Sequence, residues 1–336
     1  RGPTMAQVVI GLDVGTHMVR AARLRVSFRT MEVEQIVEGR VDEEPWAAIA
    51  EASRGADLVF SALRGDEVSL RRLELPAAAS KRVEAILPFE LDGEVPFDVQ
   101  DLVLDHSVVD QGPETIRILA VAARRQVVEQ HLSTLSQEGL TPREVGAGAR
   151  AHLELAALVA PSETVAIVDI GHTHTDVCIA DAGAPSVART CSAGGRDVTV
   201  ALARAFDVPE TVAAEWKHAE RYLGTFDLSL LEGEQRTAAE AVRVAADRIV
   251  REIRQTLAAH GAEGGRDVQR IILCGGGSRL SGLVEYLTSA LGIEVGRLEA
   301  PAALGPVAGL DVLGGSKALS LALRGTALRK KRIDLR

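Results

Sequence analysis

Residues Val8–Leu24 read VVIGLDVGTHMVRAARL, and the stretch sets the terms for the whole chain. A β-branched run meets Asp13-Val14-Gly15, passes through the polar Thr16-His17, and gives way to a second apolar stretch. Residues 165–181, VAIVDIGHTHTDVCIAD, repeat the design around Asp169-Ile170-Gly171. Apolar and polar residues alternate beyond each turn, which predicts two antiparallel hairpins. A hairpin repeated half a chain apart predicts two similar domains related by duplication. An Asp before a Gly also makes a hairpin without any ligand, because its carboxylate bonds nearby backbone N–H groups.

A third glycine-rich turn follows in Ile271–Val295, IILCGGGSRLSGLVEYLTSALGIEV. It reads as buried strand, Gly275-Gly276-Gly277-Ser278 turn, and a helix with Leu283, Leu287 and Leu291 on one face. Glycines between a strand end and a helix start let a phosphate or sugar approach the backbone. They also make an ordinary tight turn.

The chain has 336 residues, enough for two domains with cores of their own. Hydrophobic residues at 46% against 25% charged exclude disorder as the main state. A net charge of −9 and only 3% aromatic residues argue against nucleic acid as a partner. The C-terminal end departs from that balance, with Arg324, Arg329, Lys330, Lys331, Arg332 and Arg336 against the single acid Asp334. Such an end suits a membrane surface, an acidic partner or plain solvent. Cys178, Cys191 and Cys274 show no paired spacing and read as reduced core thiols. No apolar run approaches the roughly 20 residues of a membrane span. Arg1–Thr4 read as a cloning remnant before Met5.

Between the hairpins, residues 69–145 read as a small α+β insertion in the first domain. It contains the acidic, apolar LPFELDGEVPFD and a helix stopped at Gly139. Residues 201–267 read as a helical insertion in the second domain, with Ala241, Val244, Ala245, Ile249, Ile253 and Leu257 as a core face. The expected division is 5–68 with 146–163, then 164–200 with 268–300. Residues 301–328 are expected to return to the first domain, and 329–336 to form a basic extended juxtamembrane segment.

Two Asp-X-Gly hairpins with a Gly-rich turn before a helix resemble the phosphate-1, phosphate-2 and adenosine signatures of actin-like ATPases. This implies an α/β, duplicated two-domain fold of the ribonuclease H-like, actin-like kind, with an inserted α+β subdomain. LPFELDGEVPFDVQDLVLDHSVV, AGGRDVTVALARAF and the Ile271–Val295 stretch resemble the type IV pilus PilM family and the cytoplasmic domain of type II secretion L (GspL) proteins. The resemblance runs from Val8 to about Arg336. It implies a cofactor, ATP with Mg, weakly held or absent, with a PilM-like protein that actively binds or hydrolyses ATP in its cleft as the alternative. Asp13 and Asp169 would face the metal only through the Mg-nucleotide. Gly15, Thr16, Gly171 and Thr173 would cradle phosphate, and Lys217 with Gly275, Gly276, Gly277 and Ser278 would line the adenosine.

This chain departs from the pattern at His17, Met18 and Arg20, where nucleotide-binding relatives carry small hydroxyl residues and then a lysine. Met offers phosphate only a weakly accepting sulfur. Ala214 stands where an acid would hold the ribose, unless a one-residue offset brings in Glu215. His172 and His174 flank Thr173 and read as a solvent-facing turn rather than a metal site. No Gly-X-Ser-X-Gly elbow supports a hydrolase triad.

The resemblance implies a scaffold on the cytoplasmic face of the bacterial inner membrane. Its partners would be a secretion or pilus assembly ATPase, docked through the 69–145 block, inner-membrane platform proteins, and a second copy of itself. PilM proteins end near LALRG (Leu321–Gly325 here) and bind a separate peptide resembling Ile-Asn-Leu-Leu-Pro. Here Arg332, Ile333, Asp334 and Leu335 carry a similar peptide in cis, as in L proteins, where it leads to a membrane span. On sequence grounds that favours the secretion reading. The alternation of Ile333 and Leu335 suits an extended strand on an edge or groove. It counts against a division protein with an amphipathic C-terminal membrane helix.

Overall fold

The computed structural model describes residues 6–27, 30–218, 228–327 and 332–336. Residues 219–227 of the helical insertion and the basic Arg329, Lys330 and Lys331 lie outside the described residues. The chain divides into two compact units, 1–155 with 300–336 and 156–299.

The first unit opens with β1 (Gln7–Val14), β2 (Met18–Val26), β3 (Met31–Arg40), α1 (Trp46–Ala52) and β4 (Leu58–Leu63). The insertion brings β5 (Val68–Pro76), α2 (Val83–Leu91), β6 (Leu102–Gln111), β7 (Thr115–Arg124) and α3 (Arg125–Gln137). β8 (Glu144–Ala147) and α4 (Leu153–Val159) lead toward the second unit. Strands β3-β2-β1-β4-β8 form one sheet, antiparallel through β1 and parallel beyond it. The expected hairpin is present, with Asp13 opposite Arg20 and Val14 opposite Val19. The insertion forms an antiparallel sheet of its own, β5-β7-β6, with Leu75, Leu87, Leu91, Ile116 and Ile118 in its core. Residues Glu144 and Val145, at the end of the expected 69–145 insertion, belong to β8, which pairs in parallel with β4 and extends the first sheet.

The second unit repeats the plan. β9 (Thr164–Ile170), β10 (Thr175–Asp181) and β11 (Ala184–Cys191) are followed by α5 (Gly195–Phe206), α6 (Glu210–His218) and α7 (Gly233–Ala262). β12 (Arg270–Cys274), α8 (Leu283–Leu291) and β13 (Glu294–Arg297) close the unit. Its sheet order, β11-β10-β9-β12-β13, has the same alternation of antiparallel and parallel neighbours as the first. β9 is buried along its whole length, as its continuous apolar run requires for a central strand. The buried stripe of α7 runs through Ala238, Val242, Ala245, Ile249 and Ile253. Val244, expected in that stripe, is 69% exposed. At 100° per residue, a position directly before Ala245 turns off the packed face. All three cysteines are buried, and burial pushes the Cys191 thiol up to about 12. No helix among the described residues is long and apolar enough to cross a membrane.

After residue 300 the chain returns to the first unit as α9 (Ser316–Leu323), which packs across β1. The helix backbone lies directly on Gly11: a Cβ there would overlap the Ala318 carbonyl and the Ala322 amide. On the same sheet, Ser61 Oγ lies 3.0 Å from His131 Nε2 of α3. Burial, with a smaller contribution from Arg64, pushes the His131 pKa down from 6.5 to about 4.

Two outcomes are expected. Gly11→Ala must push α9 off the sheet and should cost about 3 kcal/mol in a denaturant titration, since neither neighbour is a flexible side chain. His131 stays neutral in the folded state after the unfolded chain has taken up its proton. Stability should therefore fall as pH drops from 6.5 toward 4, by about 3 kcal/mol in all. His131→Gln should flatten that part of the pH–stability curve.

Candidate functional site

In the first unit, the turn between β1 and β2 is closed by the Gly15 amide donating to the Met18 carbonyl at 3.0 Å. Thr16 is exposed and His17 half-buried, and the His17 carbonyl accepts from the Val41 amide at 2.9 Å. Asp13, one residue before the turn, is largely enclosed. Its Oδ1 lies 4.0 Å from Nζ of Lys317, in the first turn of α9. No sequence pattern singles out Lys317, because it meets Asp13 only through the return of the chain.

In the second unit, Asp169 and Ile170 at the end of β9 meet the Gly275–Ser278 turn, and Gly195 sits between Gly171 and Gly277. Asp169 is buried, and its carboxylate lies against Gly275, where any Cβ would overlap it. Gly275 also has φ +78°, a conformation that favours glycine. Gly277 packs on Ile170 just as closely. Ser278 is buried and its hydroxyl donates to the Gly275 carbonyl at 2.7 Å, so it shapes the turn from within. The Thr173 hydroxyl lies 2.8 Å from His174 Nδ1. The Gly195 and Arg196 amides at the start of α5 donate to the carbonyls of Gly171 and His172, at 2.9 and 2.7 Å. The Gly194 amide is taken by the Asp197 carboxylate at 2.8 Å. Asp176 lies directly opposite Asp169 in the β9–β10 register, buried, and accepts the Thr190 hydroxyl.

Beside these turns is a pocket of about 280 Å³. Ile170, Gly195, Lys217, Ile249, Gly276, Gly277 and Arg279 are among its walls. Lys217 Nζ donates to the Gly195 carbonyl at 3.3 Å and the Thr199 hydroxyl at 3.2 Å, and burial holds its pKa below the usual lysine range. Ala214, three residues before Lys217, shares its helical face, whereas Glu215 is exposed and absent from the pocket wall. The volume sits at the lower edge of ordinary ligand pockets, enough for a nucleobase. An adenine nucleotide with its metal fits in part. Gly275–Gly277 and Lys217 suit the nucleoside, while several α5 amides that would meet phosphate are already spent within the fold.

The C-terminal residues build a second site in the first unit. Ile333 and Leu335 are buried among Leu63, Leu119, Val121, Val128, Val145 and Ala147. The Leu335 amide donates to the Val145 carbonyl at 2.9 Å, and the Val145 amide donates to Asp334 Oδ1 at 3.1 Å. The segment thus caps β8, the outer strand of its sheet, with Asp334 standing in for a backbone carbonyl. The Asp334 amide donates to Asp105 at 2.7 Å, and Arg332 pairs with Glu154 at 3.0 Å. Arg324, 4% exposed, crosses Gly146 to reach Glu144, whose carboxyl is held above its usual range by burial. Arg336 opens into a groove of about 940 Å³ lined by Pro88, Phe89, Leu104, Val128 and Leu132 of the insertion.

The paired sheets with matching order, each carrying an Asp-X-Gly hairpin, define a duplicated α/β protein of the actin-like class. The pattern of the type IV pilus assembly protein PilM matches residues 11–302, and the chain belongs to that family. Among solved structures it is similar to a chain of the PilM–PilN type IV pilus biogenesis complex. That match has 22% identity over 94% of this chain and 98% of that one, with a TM-score of 0.76. The ethanolamine utilization protein EutJ from Carboxydothermus hydrogenoformans aligns at 14% identity over 96% and 90%, with a TM-score of 0.54. MreB 5 of Spiroplasma citri, solved bound to AMPPNP, aligns at 12% over 96% and 95%, with a TM-score of 0.50. These likenesses establish the shared fold.

Leu335→Ala should loosen the C-terminal segment by about 2–4 kcal/mol, the usual cost of truncating a fully buried leucine. Hydrogen exchange at the Val145 and Leu335 amides should speed up, with little change at the β9 amides of the second unit.

Proposed function

We propose that this chain is a scaffold of a pilus assembly platform, held at the cytoplasmic face of the inner membrane. In this role its first unit seats an extended peptide along β8 and docks an assembly ATPase on the insertion. The observation that carries this reading is the built seat for residues 332–336. Two apolar side chains are fully covered there, the backbone is paired to an outer strand, and each charged side chain of the segment has a partner. Membership of the PilM family supports the pilus system. The similar chain from the complex with PilN supports a peptide-bearing platform partner. A second reading, the cytoplasmic domain of a secretion L protein, is favoured by one specific feature. The seated peptide belongs to the same polypeptide, where it would lead toward a membrane anchor.

The insertion is the ATPase-docking surface in both readings. Phe89, on the wall of the groove into which Arg336 opens, is 81% exposed, and Phe97 of the same insertion is 45% exposed. A self-association surface is part of the same proposal. Nucleotide has a minor part: adenine enters the small pocket by Lys217, ATP binds weakly, and the chain turns over no phosphate. The spent α5 amides and Ala214 in place of a ribose acid support this.

Two experiments test the reading. A chain ending at Ala327 should bind the peptide Lys-Lys-Arg-Ile-Asp-Leu-Arg in trans by fluorescence anisotropy, and the full chain should not. Equal binding by both would remove the seat from the function. Phe89→Glu should abolish co-purification with the assembly ATPase of the same system while leaving the melting temperature unchanged, because the side chain packs little in the fold.

A further inference from the structure

Lys317 is out of place by two physical measures. It sits in the first turn of α9, next to the positive end of the helix dipole, where a cation is disfavoured. Its side chain is only 16% exposed, so the ammonium gives up much of its hydration. An ordinary surface lysine has no reason to accept both costs. Asp13 supplies the compensation, with its carboxylate equally enclosed at 16% exposure and 4.0 Å from Nζ. The geometry is held firmly. α9 cannot slide away, because Gly11 receives its backbone, and the start of the helix is tied down by the Gly315 amide donating to the Asp311 carbonyl at 2.9 Å.

We propose that Lys317 is a resident cation at the first Asp-Val-Gly turn, standing beside Asp13 in the place of a divalent metal, so that the turn takes up no divalent ion at Asp13. An ammonium beside a carboxylate neutralises it and leaves N–H donors for a phosphate oxygen. A divalent ion placed at the same carboxylate would lie a few ångströms from this ammonium, and the like-charge repulsion lowers its affinity there. The position therefore disfavours a metal at Asp13. Lysine suits this role because its ammonium is a compact point charge on a flexible stem.

The test uses the full chain and Mn²⁺ as the metal probe, followed by electron paramagnetic resonance of free Mn²⁺. Asp13→Asn should leave the Mn²⁺ isotherm of the wild type unchanged, since Asp13 holds no metal there. Lys317→Met keeps the stem and removes the charge. It should add a Mn²⁺ site at least about tenfold tighter than any wild-type binding that involves Asp13, a conservative figure for removing a like charge at this range. Combining Lys317→Met with Asp13→Asn should abolish that site. Loss of Mn²⁺ from the wild type on Asp13→Asn would overturn the proposal. So would a folded Lys317→Met chain that gains no site. If the methionine variant does not fold, the comparison of wild type with Asp13→Asn still decides.

Discussion

The contact between Gly11 and the backbone of α9 organises the first unit. A strand and a helix normally stand apart by the thickness of their side chains, about 10 Å. Here the missing Cβ lets the helix main chain rest on the strand itself. That approach carries the C-terminal part of the chain onto the N-terminal strand and fixes the contacts on either side of it. Lys317 is brought to Asp13, Arg324 is laid across Gly146 to Glu144, and the chain is aimed so that residues 332–336 meet β8. Residues more than 300 positions apart thus share one framework, set by a single hydrogen in place of a methyl group.

The second unit reaches a similar hairpin by other means. Its convergence depends on Gly275, whose positive φ and absent side chain let the turn close over Asp169. The two hairpins look alike in sequence but stand in different electrostatic settings. Asp13 faces an ammonium, whereas Asp169 faces a backbone turn and lies across from a second buried acid, Asp176. Duplication preserved the strands and let the surroundings of each carboxylate diverge.

Legibility in the sequence depends on how local each signal is. The hairpins, the Gly275–Ser278 turn and the helix after it are written in short-range patterns of alternation and glycine spacing, and the structure has them where those patterns lie. The alternation of Ile333 and Leu335 likewise predicts an extended segment, and both side chains are buried. Signals that depend on distant partners are not legible. Lys317 reads as an ordinary helix residue until α9 is placed on β1, and Arg324 as part of a basic end until it is found 4% exposed. β8 is too short to announce its sheet and joins the first one only through β4. Val244 shows a subtler failure: the apolar periodicity of α7 is real, but one residue of phase separates a core position from solvent.

The segment along β8 also changes what affinity means for that groove. It belongs to the chain it binds, so it competes there at the effective concentration of a short tether, on the order of millimolar. A freely diffusing peptide making the same contacts would have to reach comparable concentrations to replace it. A partner confined beside the groove would not face that barrier. Occupancy of β8 therefore depends on which segments are tethered nearby as much as on how tightly each binds alone.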